Sequence, residues 1–471
     1  MATASTNSSV RSRADLGGPR AWPLLGNVPQ LTGGREHLVL EEWADKYGDV
    51  YRFSVGRQPF IAVADPDMAR SMLRLRPDGL KRAMRHELFE GIGLQGVFSA
   101  EGDEWRRQRK LVMPAFKPSQ LRAAVPSFAP ITERLVRVLD AAAASGESVD
   151  ALDLMKRYTV DITTQLVFGI DLNTLEKIDN TLQASIHIIF EGAGARVRAP
   201  YPYWRYIKLP ADYRLEQAIA HVREVVLKII ETTRAKLAGD PEAEPQNLLE
   251  AMLTDTESGE KPMSNDEMRG NLITLLLAGE DTTSNTLTWV LHYMCAQPEM
   301  QRKMQEEADR VLPNSEQIQD FDEVVRLQYC EAVIQEALRR RSAAPFMFLQ
   351  ALKDLEVDGL RVDKGTYLAL LNRRIAMKET AFGEPERYWA ERWLEDERPA
   401  GCPHNSKSQL AFGGGPRICP GRGLALLEAR MALAAICKRF TLSTAPGSGP
   451  VEEVYAFAMH PKGVHITVRR R

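Results

Sequence analysis

The sequence predicts a mainly helical chain with short β-rich runs near its two ends, and three observations carry that prediction. From about Ala64 to Ala296 apolar residues recur mostly at helical spacing. A capping box, Ser264-x-x-Glu267, opens the longest helical run, which closes before Pro298. Runs of β-branched and aromatic residues, punctuated by Gly and Pro, fall at Tyr51–Val63, before Leu371 and at the C-terminus.

Taken in order, MATASTNSSVRSRADLGG is polar and reads as a disordered lead-in covering residues 1–18, with order beginning near Pro19. It contains neither an apolar run of the ~20 residues a membrane span needs nor a signal-peptide core. YRFSVGRQPFIAV reads as a hairpin turning near Gly56 and Pro59. The long helix, Ser264 to Ala296, would span roughly 50 Å. A second helix is expected over Val324–Arg341, stopped by Pro345, with strand-like runs after it. An irregular Gly- and Pro-rich stretch after Arg392 leads into an Ala- and Leu-rich helix from about Leu424 to Arg439. FTLSTAPG and GVHITVRR then read as a terminal hairpin.

Composition narrows the function. The chain of 471 residues is 44% apolar and 26% charged, as in ordinary globular proteins, and 61 basic against 63 acidic residues leave no surplus for a nucleic acid. Five scattered cysteines without a CxxC pair exclude a disulfide framework or structural zinc site and fit a reducing, cytoplasmic setting. The eight histidines form no HExxH or HxH pattern. Cys295 and Cys437 sit in helical contexts and read as small apolar filler.

The densest chemical signal is Phe412-Gly-Gly-Gly-Pro-Arg-Ile-Cys419-Pro-Gly421-Arg-Gly-Leu-Ala425. It presents one cysteine just before a helix, whose N-terminal amides stabilise a thiolate. Gly415 and Gly421 let backbone approach a flat macrocycle, and Arg417 is placed to reach an anionic group on its edge. No Walker lysine or GxGxxG accompanies the glycines, so a phosphate loop is not indicated. This loop resembles that of the haem-thiolate monooxygenases, the cytochrome P450 family, matching Phe-x-x-Gly-x-Arg/His-x-Cys-x-Gly at every specified position.

Three further motifs strengthen the resemblance. In mid-helix stands Ala278-Gly279-Glu280-Asp281-Thr282-Thr283, where Thr282 is spaced to bond back to the Ala278 carbonyl and loosen the helix. In the family this acid and alcohol relay protons during dioxygen activation, a role carried onto Asp281 and Thr282. Glu336 and Arg339 resemble the Glu-x-x-Arg signature, whose structural partner would be Arg392. Trp105 and Arg109 resemble the Trp-x-x-x-Arg element that holds a haem propionate. Some positions depart from the pattern: Ala376-Met377-Lys378 replaces His-Arg-Asp, Ala390-Glu391-Arg392 replaces Pro-Glu-Arg, and Gln350 stands where many members have a basic residue.

The resemblance covers Pro19 to Arg471 and implies one catalytic domain over residues 19–471, mainly α with a small β-rich subdomain, enclosing haem b (iron protoporphyrin IX). It implies metal ligation by Cys419 and cofactor contacts from Trp105, Arg109, Ala278, Gly279, Phe412, Gly413, Arg417, Gly421 and Ala425. The implied reaction hydroxylates or epoxidises a small, largely apolar fatty acid, terpenoid, steroid or polyketide, using O2. Phe89, Leu94, Phe98, Ala343, Ala344, Phe346, Met347 and Phe348 are the expected pocket wall. Electrons would come from a separate ferredoxin with its reductase or a flavodoxin-type donor, docking on Arg106, Arg107 and Lys110. A bacterial, monomeric protein without a membrane anchor is the expected setting. Two other readings stay open: a haem-thiolate isomerase or peroxide-driven enzyme, against which Asp281-Thr282 weighs, and a non-catalytic haem sensor, for which no output module is visible.

Overall fold

The computed structural model describes residues 10–83, 96–177, 181–199, 202–240, 244–254, 260–315, 318–398, 401–456 and 458–471, and the fold divides into two compact units. Its helices begin with α1 (Glu36–Tyr47), α2 (Pro66–Arg74), α3 (Gly102–Val112), α4 (Pro118–Ser145) and α5 (Ala151–Phe168). They continue with α6 (Thr181–Arg198), α7 (Pro210–Gly239), α8 (Leu248–Thr254), α9 (Asn265–Ala296) and α10 (Pro298–Val311). The last are α11 (Phe321–Val325), α12 (Gln328–Arg340), α13 (Asn372–Ala376) and α14 (Arg422–Arg439). The strands are β1 (Val50–Val55), β2 (Gln58–Val63), β3 (Leu80–Arg82), β4 (Val149–Asp150), β5 (Met347–Ala351) and β6 (Leu355–Val357). After them come β7 (Leu360–Val362), β8 (Tyr367–Leu370), β9 (Phe440–Thr444), β10 (Glu452–Tyr455), β11 (Met459–Lys462) and β12 (His465–Arg470).

The β-rich unit combines residues 10–83, 344–387 and 401–419. β1 and β2 form the expected hairpin, with Gly56 at φ +58° taking the left-handed turn position. They join a five-stranded sheet ordered β1-β2-β8-β5-β3, antiparallel except between β2 and β8. Alternation along these strands turns Ile61, Val63, Leu349, Leu368 and Leu370 into one core with Met72 and Leu73 of α2. Residues 10–18 correct the expectation of a disordered lead-in. Arg11 bonds by its amide to the Gly359 carbonyl (2.9 Å) and accepts from the Arg361 amide (2.8 Å), while Leu16 is buried in the core.

The helical unit contains the described residues of 96–343 with 388–398 and 420–471. α9 runs through its core, packed along α5 and touching α12 and α14. Its start is the capping box read from sequence: Ser264 Oγ accepts from the Glu267 amide, and the Glu267 carboxylate accepts from the Ser264 amide. The single helix expected over Val324–Arg341 is in fact two, α11 and α12. Asp320 caps the first, and the buried Glu307 carboxylate accepts from the amides of Tyr329 and Cys330 (both 2.8 Å), which begins the second. The terminal strands do pair, β9 against β12, but the β10-β11 hairpin lies between them and β4 completes the sheet.

Candidate haem-thiolate site

The cysteine loop is shaped by its approach to the end of α2. Gly413 and Gly415 take φ of +72° and +65°, conformations that side chains resist. A Cβ on Gly415 would stand 2.4 Å from the Leu73 carbonyl oxygen. The Cys419 amide donates to the Phe412 carbonyl (2.9 Å) and the Gly413 amide to that of Leu410 (2.8 Å), closing the loop on itself. Of the five free cysteines, Cys419 alone is exposed. That is an unusual setting for a residue type normally found buried. Cys330 and Cys437 are buried, and burial pushes the Cys295 and Cys437 thiols up to about 12, consistent with inert filler.

α9 has an open spot in the middle of an otherwise buried stretch. Residues 271–277 and 283–291 are all buried, whereas Ala278 and Thr282 are exposed and Gly279 and Asp281 half-exposed. Thr282 Oγ1 donates to the Ala278 carbonyl at 2.8 Å, the bond its i−4 spacing allows. Asp281 Oδ1 lies 3.3 Å from Lys156 Nζ of α5. Gly279 lies against Thr163, whose hydroxyl would be 2.5 Å from a Cβ there, so close helix packing accounts for the glycine. Glu280 points the other way and is buried, which pushes its carboxyl up to about 8.

Glu336, Arg339 and Arg392 are fully buried together, and the structure adds two members that sequence reasoning missed. Glu336 Oε1 accepts from Arg339 Nη2 (2.8 Å), Arg392 Nε (3.2 Å) and the Trp389 amide (3.1 Å). Its Oε2 accepts from Arg339 Nε (2.9 Å) and Trp393 Nε1 (2.9 Å). The available signal for the tryptophans was their position flanking Arg392 in WAERW.

The remaining expectations fare unevenly. Trp105 is buried and Arg109 half-buried, one turn apart on α3. The basic docking patch is corrected: Arg106 pairs with Asp103, Arg107 with Glu104 and Glu267, and Lys110 with Glu260. Acidic partners therefore neutralise the charge that sequence alone suggested. Gln350 donates to the Gly365 carbonyl (3.3 Å), and Lys378 forms an ion pair with Asp49. Phe346 and Phe348 pack with ring centres 4.9 Å apart, Ala343 is buried, Ala344 is exposed, and Met347 and Phe98 are half-buried. Phe89 and Leu94 lie outside the described residues. Arg417 and Gly421 are half-exposed, as are Phe412 and Ala425.

Among the described residues there is no group of three or more His, Cys, Asp and Glu side chains placed to hold a metal ion. No described helix is long and apolar enough to cross a membrane. A family model described as cytochrome P450 matches residues 16–468. The chain is 25% identical to the protein LUTEIN DEFICIENT 5, chloroplastic, of Arabidopsis thaliana, over 96% of its own length and 77% of the relative's. It is 27% identical to the carotene epsilon-monooxygenase, chloroplastic, of the same plant, over 100% and 89% of the two chains. Cytochrome P450 3A6 of Oryctolagus cuniculus is 26% identical over 90% and 85%. These plant and mammalian relatives give the expectation of a bacterial source no support, and the chloroplastic ones give none to a cytoplasmic location. With its mainly helical fold and small β-sheets, the chain belongs to the cytochrome P450 family, the monooxygenases that bind haem b through a cysteine thiolate.

Proposed function

We propose that this monooxygenase inserts one oxygen atom of dioxygen into a small, largely apolar molecule, with electrons from a separate ferredoxin- or flavodoxin-type donor. Cys419 is assigned as the haem ligand. The observation that carries this is its exposure, alone among five cysteines, on a loop held by left-handed glycines. Haem b, when bound, supplies the iron at which dioxygen is reduced.

The chain's own residues suit that group. A glycine-lined loop can run along a flat macrocycle without side chains intervening. The open spot at Ala278 and Thr282 leaves room on α9 where the flanking turns are closely packed. Because Thr282 spends its proton on the Ala278 carbonyl, its oxygen is left to accept from a water, and Asp281, positioned by Lys156, can exchange protons with that water. Arg417, Trp105 and Arg109 are assigned to the propionates, while Glu336, Arg339 and Arg392 serve the fold. The aromatic pair Phe346 and Phe348 suits a hydrocarbon substrate. Among fatty acids, terpenoids, steroids and polyketides, the relative named as a carotene monooxygenase favours a terpenoid.

Incubation with labelled dioxygen, a surrogate ferredoxin and its reductase, and one substrate of each class tests the reading. One labelled atom in the product supports it. Conversion without dioxygen, or only with added peroxide, would contradict it.

A further inference from the structure

Resting on the assignment above of the open spot on α9 to the reaction, we propose that Asn271 is a positioning residue that sets the size of substrate admitted there, by tying the Gly96–Ala100 turn and α3 to α9.

Asn271 lies on the same stripe of α9 as that spot. At about 3.6 residues per turn, Ala278 and Thr282, seven and eleven positions on, fall within about 20° of its direction, roughly 10 and 17 Å along the axis. Asn271 is 0% exposed, and both ends of its amide are used. Its Oδ1 accepts from the Val97 amide (2.7 Å), while Nδ2 donates to Gln108 Oε1 (2.9 Å) and to the Glu267 carbonyl (2.9 Å). The turn lies directly on the helix: a Cβ on Gly96 would stand 2.8 Å from Asn271 Oδ1 and 3.0 Å from its Cα and backbone nitrogen. Within the turn the Ser99 and Ala100 amides donate to the Gly96 carbonyl (3.0 and 2.9 Å), so the segment moves as one piece. It carries Phe98, one of the residues expected to wall the substrate pocket.

The second tie reaches α3. Gln108 stands between Trp105 and Arg109, the pair assigned to the propionates, and extends the network through Nε2 to Glu104 Oε1 (2.6 Å). Glu104 pairs with Arg107, and Arg107 with Glu267 in the first turn of α9, closing a ring between the two helices. The chemistry selects an amide at its centre. The Val97 N–H asks for an acceptor and Gln108 Oε1 for a donor, at a point solvent does not reach, and asparagine offers both without charge. An aspartate would bring a buried charge and no donor, and leucine, of similar size, offers neither bond. A turn fastened to a rigid helix through this amide takes its position from it, and so does the wall it carries.

The test uses the full-length, haem-loaded protein with Asn271→Leu and Gly96→Ala, the second of which pushes the turn off α9 while leaving Asn271 in place. Gln301→Leu is the control. Gln301 of α10 is also buried, at 3% exposed, and its amide accepts from the Leu442 amide and donates to the Leu442 and Met294 carbonyls, so its loss removes a comparable network elsewhere. Soret titrations give the Kd of imidazole and of a biphenyl-substituted imidazole, and hydrogen exchange read by mass spectrometry follows the 96–100 segment. Imidazole affinity should stay within about twofold throughout, whereas the biphenyl probe should bind about tenfold tighter relative to imidazole in Asn271→Leu and Gly96→Ala, because the released turn yields room. The 96–100 segment should exchange about tenfold faster in those two variants and at the natural rate in Gln301→Leu. An unchanged affinity ratio, unchanged exchange, or an equal change in Gln301→Leu would overturn the proposal while leaving the haem-site reading intact. A natural protein that binds no imidazole would overturn that reading and this proposal with it. Should Asn271→Leu not load haem, Gly96→Ala decides.

Discussion

Replacing Glu336 with Gln tests whether the buried ion cluster holds the helical unit together. The natural carboxylate receives five hydrogen bonds, from Arg339 twice, Arg392, Trp393 and the Trp389 amide. Glu336, Arg339 and Arg392 are all 0% exposed, so solvent cannot substitute for the lost charge. The amide keeps one oxygen as acceptor but turns two N–H donors toward groups that are themselves donors. Breaking a buried pair by removing one partner costs about 3–5 kcal/mol, a large fraction of the roughly 5–15 kcal/mol that stabilises a domain. At about 2–4 °C per kcal/mol, the melting temperature should fall by on the order of 10 °C. Glu331→Gln provides the contrast. Glu331 pairs with Arg430 at 2.8 Å but is 36% exposed, and its loss should cost no more than about 1 kcal/mol. Chemical denaturation of the two variants measures both values. A Glu336→Gln cost under about 1 kcal/mol, or one equal to that of Glu331→Gln, would refute the reasoning.

Three further outcomes follow from the same geometry. Gly415→Ala places a Cβ 2.4 Å from the Leu73 carbonyl at φ +65°, so it should cost at least about 1–3 kcal/mol and lower haem retention on gel filtration; Gly413→Ala, whose nearest neighbour is the flexible Met347 side chain at 3.7 Å, should cost less. Thr282→Ala should leave folding and haem content unchanged but lower product formed per dioxygen consumed, with product formation falling on the order of 10²-fold. Glu428→Gln should alter the pH dependence of stability. Folding raises this carboxyl from the ordinary 4.5 to about 8, so the folded state holds a proton the unfolded chain has released. Stability is then greatest below about pH 4.5 for this group and declines by ~1.4 kcal/mol per pH unit up to about 8. Denaturation series at pH 5 to 8 should show that decline reduced in the variant.

What the sequence made legible was local. The Ser264 and Glu267 capping box, the Gly56 turn and the Thr282 back-bond depend on residues within four positions of each other, and their chemistry is readable from types and spacing. Long-range pairing was legible only where the family resemblance supplied it, as for Arg392 beside Glu336. The docking patch failed partly on local pairs, Asp103 with Arg106 and Glu104 with Arg107 one turn apart, and partly because the other groups that neutralise Arg107 and Lys110, Glu267 and Glu260, stand 160 and 150 positions away. The break between α11 and α12 depends on Glu307, whose carboxylate reaches amides 22 and 23 residues later. Residues 10–18 looked featureless because Arg11 is held through its backbone, which no side-chain pattern reveals. The cysteine loop was the exception among distant features, since its glycines are dictated by contact with Leu73 and appear as an unmistakable local run.

The central claim is that Cys419 is the thiolate ligand of haem b. The most direct measurement is the absorption spectrum of the purified protein, reduced with dithionite and exposed to carbon monoxide, beside that of Cys419→Ala. The account predicts a Soret band strongly red-shifted from that of a His-ligated haem, lost in the variant while the other four cysteines remain in place. No bound haem, an unshifted band, or a shifted band that survives Cys419→Ala would contradict it.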